Sequence, residues 1–120
     1  MKRSDEATTV AARAALPLTP VSTNILLALV DADRHGLGIA EEVARFTGGR
    51  MTLGPGTLYG AMKRLLDLGL IAEADRDGEA EADDPRRRYY GITPVGRRAL
   101  QLETRDLEKV LLFARSKKVL

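Results

Sequence analysis

Between Gly54 and Arg64 the sequence gathers small, hydroxyl-bearing and cationic residues into one segment. Gly54 and Gly56 allow another molecule to approach the backbone closely. Thr57 and Tyr59 supply hydroxyls that can donate and accept, and Thr52 adds another just upstream. Lys63 and Arg64 add positive charge about one turn later. Together these groups suit a polyanion with readable edges, because hydroxyls and short side chains reach base edges while cations meet phosphates. A second cationic group, Arg86, Arg87 and Arg88, follows a long polar stretch. Such a run in isolation is usually solvated charge. Beside a strand it becomes a candidate phosphate contact.

Other chemistries find little support. His35 is the single histidine and there is no cysteine. A metal site needs three or four convergent ligands, so His35 is expected to be a solvated turn residue. The carboxylates Asp77, Glu79, Glu81, Asp83 and Asp84 lack the register and closing glutamate of a calcium loop. Ser4, Ser22 and Ser116 have no histidine nearby in sequence to act as base. The reading is therefore of a binding protein, with no catalytic residues, metal or cofactor.

The net charge of +2 over 120 residues does not argue for nucleic acid by itself. Its distribution says more. Residues 73–84 hold seven acids and one arginine, whereas residues 85–98 hold five arginines and no acid. The N-terminus carries Asp5 and Glu6 and has no continuous apolar stretch, which is not a signal-peptide pattern. The strongly apolar run 25–30 is far shorter than the ~20 residues that cross a bilayer. These features predict a soluble, cytoplasmic protein with no membrane partner.

The elements that would carry these side chains can be placed from periodicity and caps. Residues 1–16 are Ala-rich and polar, an arm or short helix closed by Pro17. Thr19-Pro20 starts a first helix, with threonine as cap and proline in the first turn. Val21, Ile25, Leu26, Leu29 and Val30 carry it to about residue 31. Residues 33–36 read as a turn. A short helix over 39–46 is expected to bury Ile39, Val43 and Phe46 before Thr47-Gly48-Gly49 stops it. The next helix is opened by Thr52-Leu53-Gly54-Pro55 and runs to about residue 68, with Leu58, Met62, Leu65 and Leu68 as its apolar stripe and Gly69 as its end. Residues 70–74 and 88–92 read as a hairpin with a long acidic tip, Tyr90 and Ile92 sharing one face. Thr93-Pro94 then starts a helix over 94–116, ~35 Å long at 1.5 Å per residue. Leu100, Leu107, Leu111 and Ala114 form one stripe on it, and Val95, Ala99 and Leu102 another.

The order predicts a mainly α fold with a small β-hairpin wing: a winged helix-turn-helix plus a long C-terminal dimerisation helix. In that fold the third helix enters the major groove and the wing touches the flanking backbone. The division is an arm over 1–16, a DNA-binding domain over 17–93 and the dimerisation helix over 94–120. GPGTLYGAMKRLLDLGLI (54–71) followed by RRRYYGITPVGRRAL (86–100) resembles the PadR family of transcriptional regulators. HGLGIAEEV (35–43) resembles its second helix more weakly. Two positions depart from the pattern: Gly60 stands where proline is frequent, and Gly38 where a bulky aromatic is frequent.

The resemblance implies the smaller subgroup, with one C-terminal helix for dimerisation. It also implies repression relieved by a small molecule or another signal. Relatives often bind ligands against aromatic residues, and with no tryptophan here a flat aromatic effector finds no support. Double-stranded DNA with a palindromic operator is the expected partner, contacted by Thr52, Gly56, Thr57, Tyr59, Lys63, Arg64 and Arg86–Arg88. Tyr59 has two readings, a phosphate contact or a packing residue at the helix junction. Arg97 and Arg98 likewise divide between DNA and plain surface. Leu100, Leu107, Val110, Leu111 and Ala114 are the expected homodimer interface. The alternative is a winged-helix protein-interaction module without specific DNA binding, favoured by the acidic wing and low net charge. A non-specific architectural protein should carry a stronger basic excess.

Overall fold

The computed structural model describes residues 2–74 and 88–120, and the expected wing tip lies outside them. The elements are α1 (Lys2–Ala14), α2 (Pro20–Ala28), β1 (Arg34–His35), α3 (Gly36–Phe46), α4 (Pro55–Asp67), β2 (Ile71–Glu73), β3 (Tyr89–Ile92) and α5 (Pro94–Ser116). The fold is mainly helical with a small antiparallel sheet, as the sequence predicts. The sheet has three strands rather than two, in the order β1-β3-β2. Ile71 pairs with Ile92 and Glu73 with Tyr90, while Arg34 and His35 pair with Tyr90 and Tyr89 on the other edge.

Helix starts follow their caps. The Thr19 hydroxyl accepts from the Ser22 N–H, and the Thr93 hydroxyl accepts from the Gly96 N–H, each at 3.0 Å. Both helices carry proline in the first turn, where the missing N–H costs nothing. α2 is buried on almost every side: Ser22, Thr23, Ile25, Leu26 and Ala28 are all covered. A helix covered on so many sides belongs at the centre of a domain, and here α3, α4 and α5 pack around it. Ile39 and Val43 of α3, and Leu58, Met62 and Leu65 of α4, complete the core with Leu70 and Ile71.

Several expectations are corrected. Residues 34 and 35 form a strand, not a turn, because their backbone pairs with β3. α3 accordingly begins at Gly36, a turn earlier than its apolar periodicity suggests. Phe46 is 39% exposed and Leu68 44% exposed. Both stand at helix ends, where the apolar period runs on after the packing surface has stopped.

α1 lies along α5 with Ala12 fully buried, and the Arg98 Nε donates to the Thr9 hydroxyl at 3.2 Å. The following linker is fixed by the Leu18 N–H, which donates to Glu103 of α5 at 2.8 Å. Leu100 is covered by its own chain, together with Ala99 and Leu102. Beyond Thr104 the outer half of α5 is exposed, including Leu107, Val110, Leu111 and Phe113.

Candidate nucleic-acid interface

α4 is two-faced because its apolar residues recur at helical spacing. Leu58, Met62 and Leu65 anchor one side in the core. The opposite side carries Gly56, Thr57, Tyr59, Gly60, Lys63 and Arg64, all exposed, with Thr52 exposed just ahead of the helix. A methyl group built on Gly54, Gly56 or Gly60 would meet nothing within 4 Å, so the backbone itself forms the outer surface there. Gly60 therefore widens the bare ridge that begins at Gly54. The helix starts on Gly54 with no side-chain cap, leaving first-turn N–H groups without a capping side chain.

The cations on this face are in unlike states. Lys63 Nζ donates to Asp67 at 3.1 Å, an i,i+4 pair with both side chains mostly exposed, so the pair is weak and easily exchanged. Arg64 has no ion pair or hydrogen bond with another described side chain. Arg50, in the turn between α3 and α4, is exposed as well. Sequence reading passed it over, although its place directly after Gly48-Gly49 and before the helix start was a usable signal.

Tyr59 is 47% exposed, and its inner edge packs on α3. A Cβ on Gly36 would stand 2.6 Å from the Tyr59 hydroxyl and 3.0 Å from two ring carbons. The phenol therefore closes over the first residue of α3. Gly36 is a residue the sequence reading missed, since nothing in local pattern marks a glycine at a helix start as a contact.

His35 is not a solvated turn residue. It is half-buried and caps α3: its Nδ1 accepts from the Gly38 N–H at 3.0 Å. Its ring meets Tyr89 edge-on, with centroids 5.4 Å apart. Arg34 beside it donates through Nε to the Ala28 carbonyl at 2.7 Å, which ties β1 to the end of α2. On the flank of α3, Glu42 accepts two hydrogen bonds from Arg45, at 2.8 and 2.6 Å. The Arg45 hydrogen bond holds the Glu42 carboxyl below its usual range. Partial burial opposes this, and the Arg45 and Arg34 charges reinforce it.

At the wing's base Arg88 is exposed and lies 3.9 Å from Glu73 across the hairpin. Burial, and then the charge of Glu73, push the Tyr90 phenol up. Arg86 and Arg87 fall outside the described residues, as do the acidic residues 77–84. Arg97 and Arg98 are engaged within the chain. Arg97 donates to the Val30 carbonyl at 2.7 Å, and Arg98 bonds Thr9 and Gln101. Among the described residues no helix is long and apolar enough to cross a membrane, and no His, Asp and Glu group could hold a metal ion.

Comparison with known proteins returns a consistent picture. The model of the transcriptional regulator PadR-like family matches residues 25–102, from α2 into α5. A transcriptional regulator of Mycobacterium tuberculosis is 38% identical over 92 residues, covering 75% of this chain and 78% of its own length. An uncharacterized 37.1 kDa protein of transposon TN4556 from Streptomyces fradiae is 34% identical over 86 residues. That match covers 72% of this chain, which spans only 22% of the relative's length. The structure of a transcriptional regulator from Clostridium thermocellum superposes with a TM-score of 0.67 at 29% identity, covering 80% of this chain and 87% of the other.

Proposed function

The chain belongs to the transcriptional regulator PadR-like family, and from that premise we propose that it is a homodimeric repressor of a palindromic DNA operator. The observation that carries this reading is the outer face of α4, where bare backbone at Gly56 and Gly60 lies beside Thr57, Lys63 and Arg64. Thr57, near the open helix start, reads base edges, and Lys63 and Arg64 meet phosphates. Thr52 and the uncapped first turn of α4 add backbone-positioning contacts. At the wing, Arg86, Arg87 and Arg88 contact the flanking phosphates.

Two copies are needed because one chain leaves too much of α5 uncovered. Leu107, Val110 and Leu111 are 49%, 66% and 41% exposed, and Ala114 lies on the same side. Leu100 continues that line inward, where it floors a shallow groove of about 320 Å³ with Leu27, Val30 and Thr104. A two-fold contact along this line buries the same patch on both copies. The division follows: residues 1–16 as an accessory helix, 17–93 as the DNA-binding domain and 94–120 as the dimerisation helix. The role is binding rather than catalysis, in the cytoplasm, and release from DNA follows a small molecule or another signal.

A protein-interaction module without specific DNA binding is the second reading. The acidic residues within 73–84 and the low net charge of +2 favour it. A mobility-shift titration against DNA upstream of the chain's own gene, beside an unrelated fragment of equal length, separates the two. The repressor reading expects a shift of the upstream fragment at concentrations that leave the control unmoved. No selective shift, even at low salt, overturns it.

A further inference from the structure

We propose that Tyr59 is a positioning residue for operator binding, one that aligns the recognition helix and the wing against each other without touching DNA. The inference rests on the DNA-binding reading above and on the way three elements meet at the start of α3. His35 is shared by two of them. Its backbone pairs with Tyr89 of β3, and its Nδ1 caps α3 through Gly38. The next residue, Gly36, is buried, with the Tyr59 ring of α4 lying over it at a distance no side chain could share. The wing strand, the first turn of α3 and the exposed side of α4 are thus in contact through His35, Gly36 and Tyr59.

The remaining anchors of α4, Leu58, Met62 and Leu65, all lie on its buried side. They fix its depth in the core from one side only, and a small roll about its axis is the motion they oppose least. Contact between Tyr59 and Gly36 resists that roll from the flank that faces α3, one turn before Lys63. A small roll displaces the base-reading end relative to Arg88 on the wing, so binding is lost while the core stays packed.

Gly36→Ala isolates this effect. Gly36 is helical and has no positive φ, so alanine suits the backbone and the helix. The colliding atoms are the far end of the Tyr59 side chain, which can swing away. The expected protein is as stable as wild type but binds its operator about tenfold more weakly. Tyr59→Ala should lose a similar factor, and Tyr59→Phe, which keeps the ring, should stay within about twofold. The double variant Gly36→Ala/Tyr59→Ala should bind no worse than Tyr59→Ala alone, because both changes remove one contact. Equal losses in Tyr59→Phe and Tyr59→Ala would make the hydroxyl, not the packed ring, the group that matters and overturn the proposal. So would wild-type affinity in Gly36→Ala, or additive losses in the double variant.

A DNA-free arm separates this idea from the function it rests on. Amide resonances of His35, Tyr89 and Lys63 should move in Tyr59→Ala and hold in Tyr59→Phe. Resonances that move in a protein selective for no fragment sink the operator reading and leave the joint standing. Unmoved His35 and Tyr89 resonances sink the joint, whatever the DNA result.

Discussion

A Cβ built on Gly96, in the first turn of α5, would fall on the carbonyl oxygen of Leu70, at the corner where α4 gives way to β2. The same corner is closed by the Thr93 N–H, which donates to that carbonyl at 3.0 Å, and by the Thr93 hydroxyl, which donates to the Gly69 carbonyl at 2.6 Å. Gly96→Ala puts a methyl group into backbone that cannot step aside. Overpacking of this kind costs about 1–3 kcal/mol, against a helix-propensity gain of about 1 kcal/mol for alanine. A net loss of stability in denaturant unfolding is expected. A more stable variant would mean that α5 does not sit this close.

The contrast with Gly36 is itself informative. Both glycines allow close approach, but Gly36 faces a movable phenol and Gly96 faces a fixed carbonyl. Alanine at one is expected to alter binding, and alanine at the other to alter stability.

Acid should weaken the flank of α3 through Glu42. Its carboxyl is held below the ordinary value chiefly by the Arg45 hydrogen bond. A depressed folded-state value contributes stability that is fully present above the unfolded value, and that contribution is lost as pH falls through the folded one. Wild type and Glu42→Gln should therefore differ in unfolding midpoint at neutral pH and converge well below pH 4.5. The gap is small, since Arg45 is largely exposed and solvent screens the pair. Curves that run parallel through the acid range would mean that ionised Glu42 adds nothing to stability.

Leu107→Glu places a charge in the middle of the exposed line on α5. Sedimentation should show a dimer for wild type and a monomer for the variant, with far-UV circular dichroism unchanged because residue 107 lies outside the core. An intact dimer moves the interface away from α5.

Arg64→Ala and Thr57→Ala should differ in kind on DNA. Loss of a phosphate contact weakens binding to all sequences alike and lowers the salt slope by about one. Thr57→Ala should keep the slope and change which operator variants are preferred. Unchanged preference in Thr57→Ala reassigns the base-reading end of α4.

Most of the helical frame was legible in the sequence because its signals are local. Thr19-Pro20 and Thr93-Pro94 mark helix starts that the structure places at Pro20 and Pro94, and α5 ends where the periodicity does. What was hidden depends on distant partners. Two residues, Arg34 and His35, carry no strand pattern of their own, and their ladder is supplied by Tyr89 and Tyr90 from far along the chain. Gly36 likewise needs Tyr59 in view before its size means anything. Arg97 and Arg98 divide between DNA and plain surface until Val30 and Thr9 are brought beside them. The α4 face was legible as a segment, but its bare glycine ridge and the half-covered state of Tyr59 follow from packing alone.

Hydroxyl-radical footprinting on the upstream fragment reads out whether a two-fold regulator meets DNA through α4. A dimer with one recognition helix in each half-site should protect two patches centred about 10 bp apart, related by two-fold symmetry. A single patch, or protection that spreads evenly with protein concentration, would contradict that arrangement.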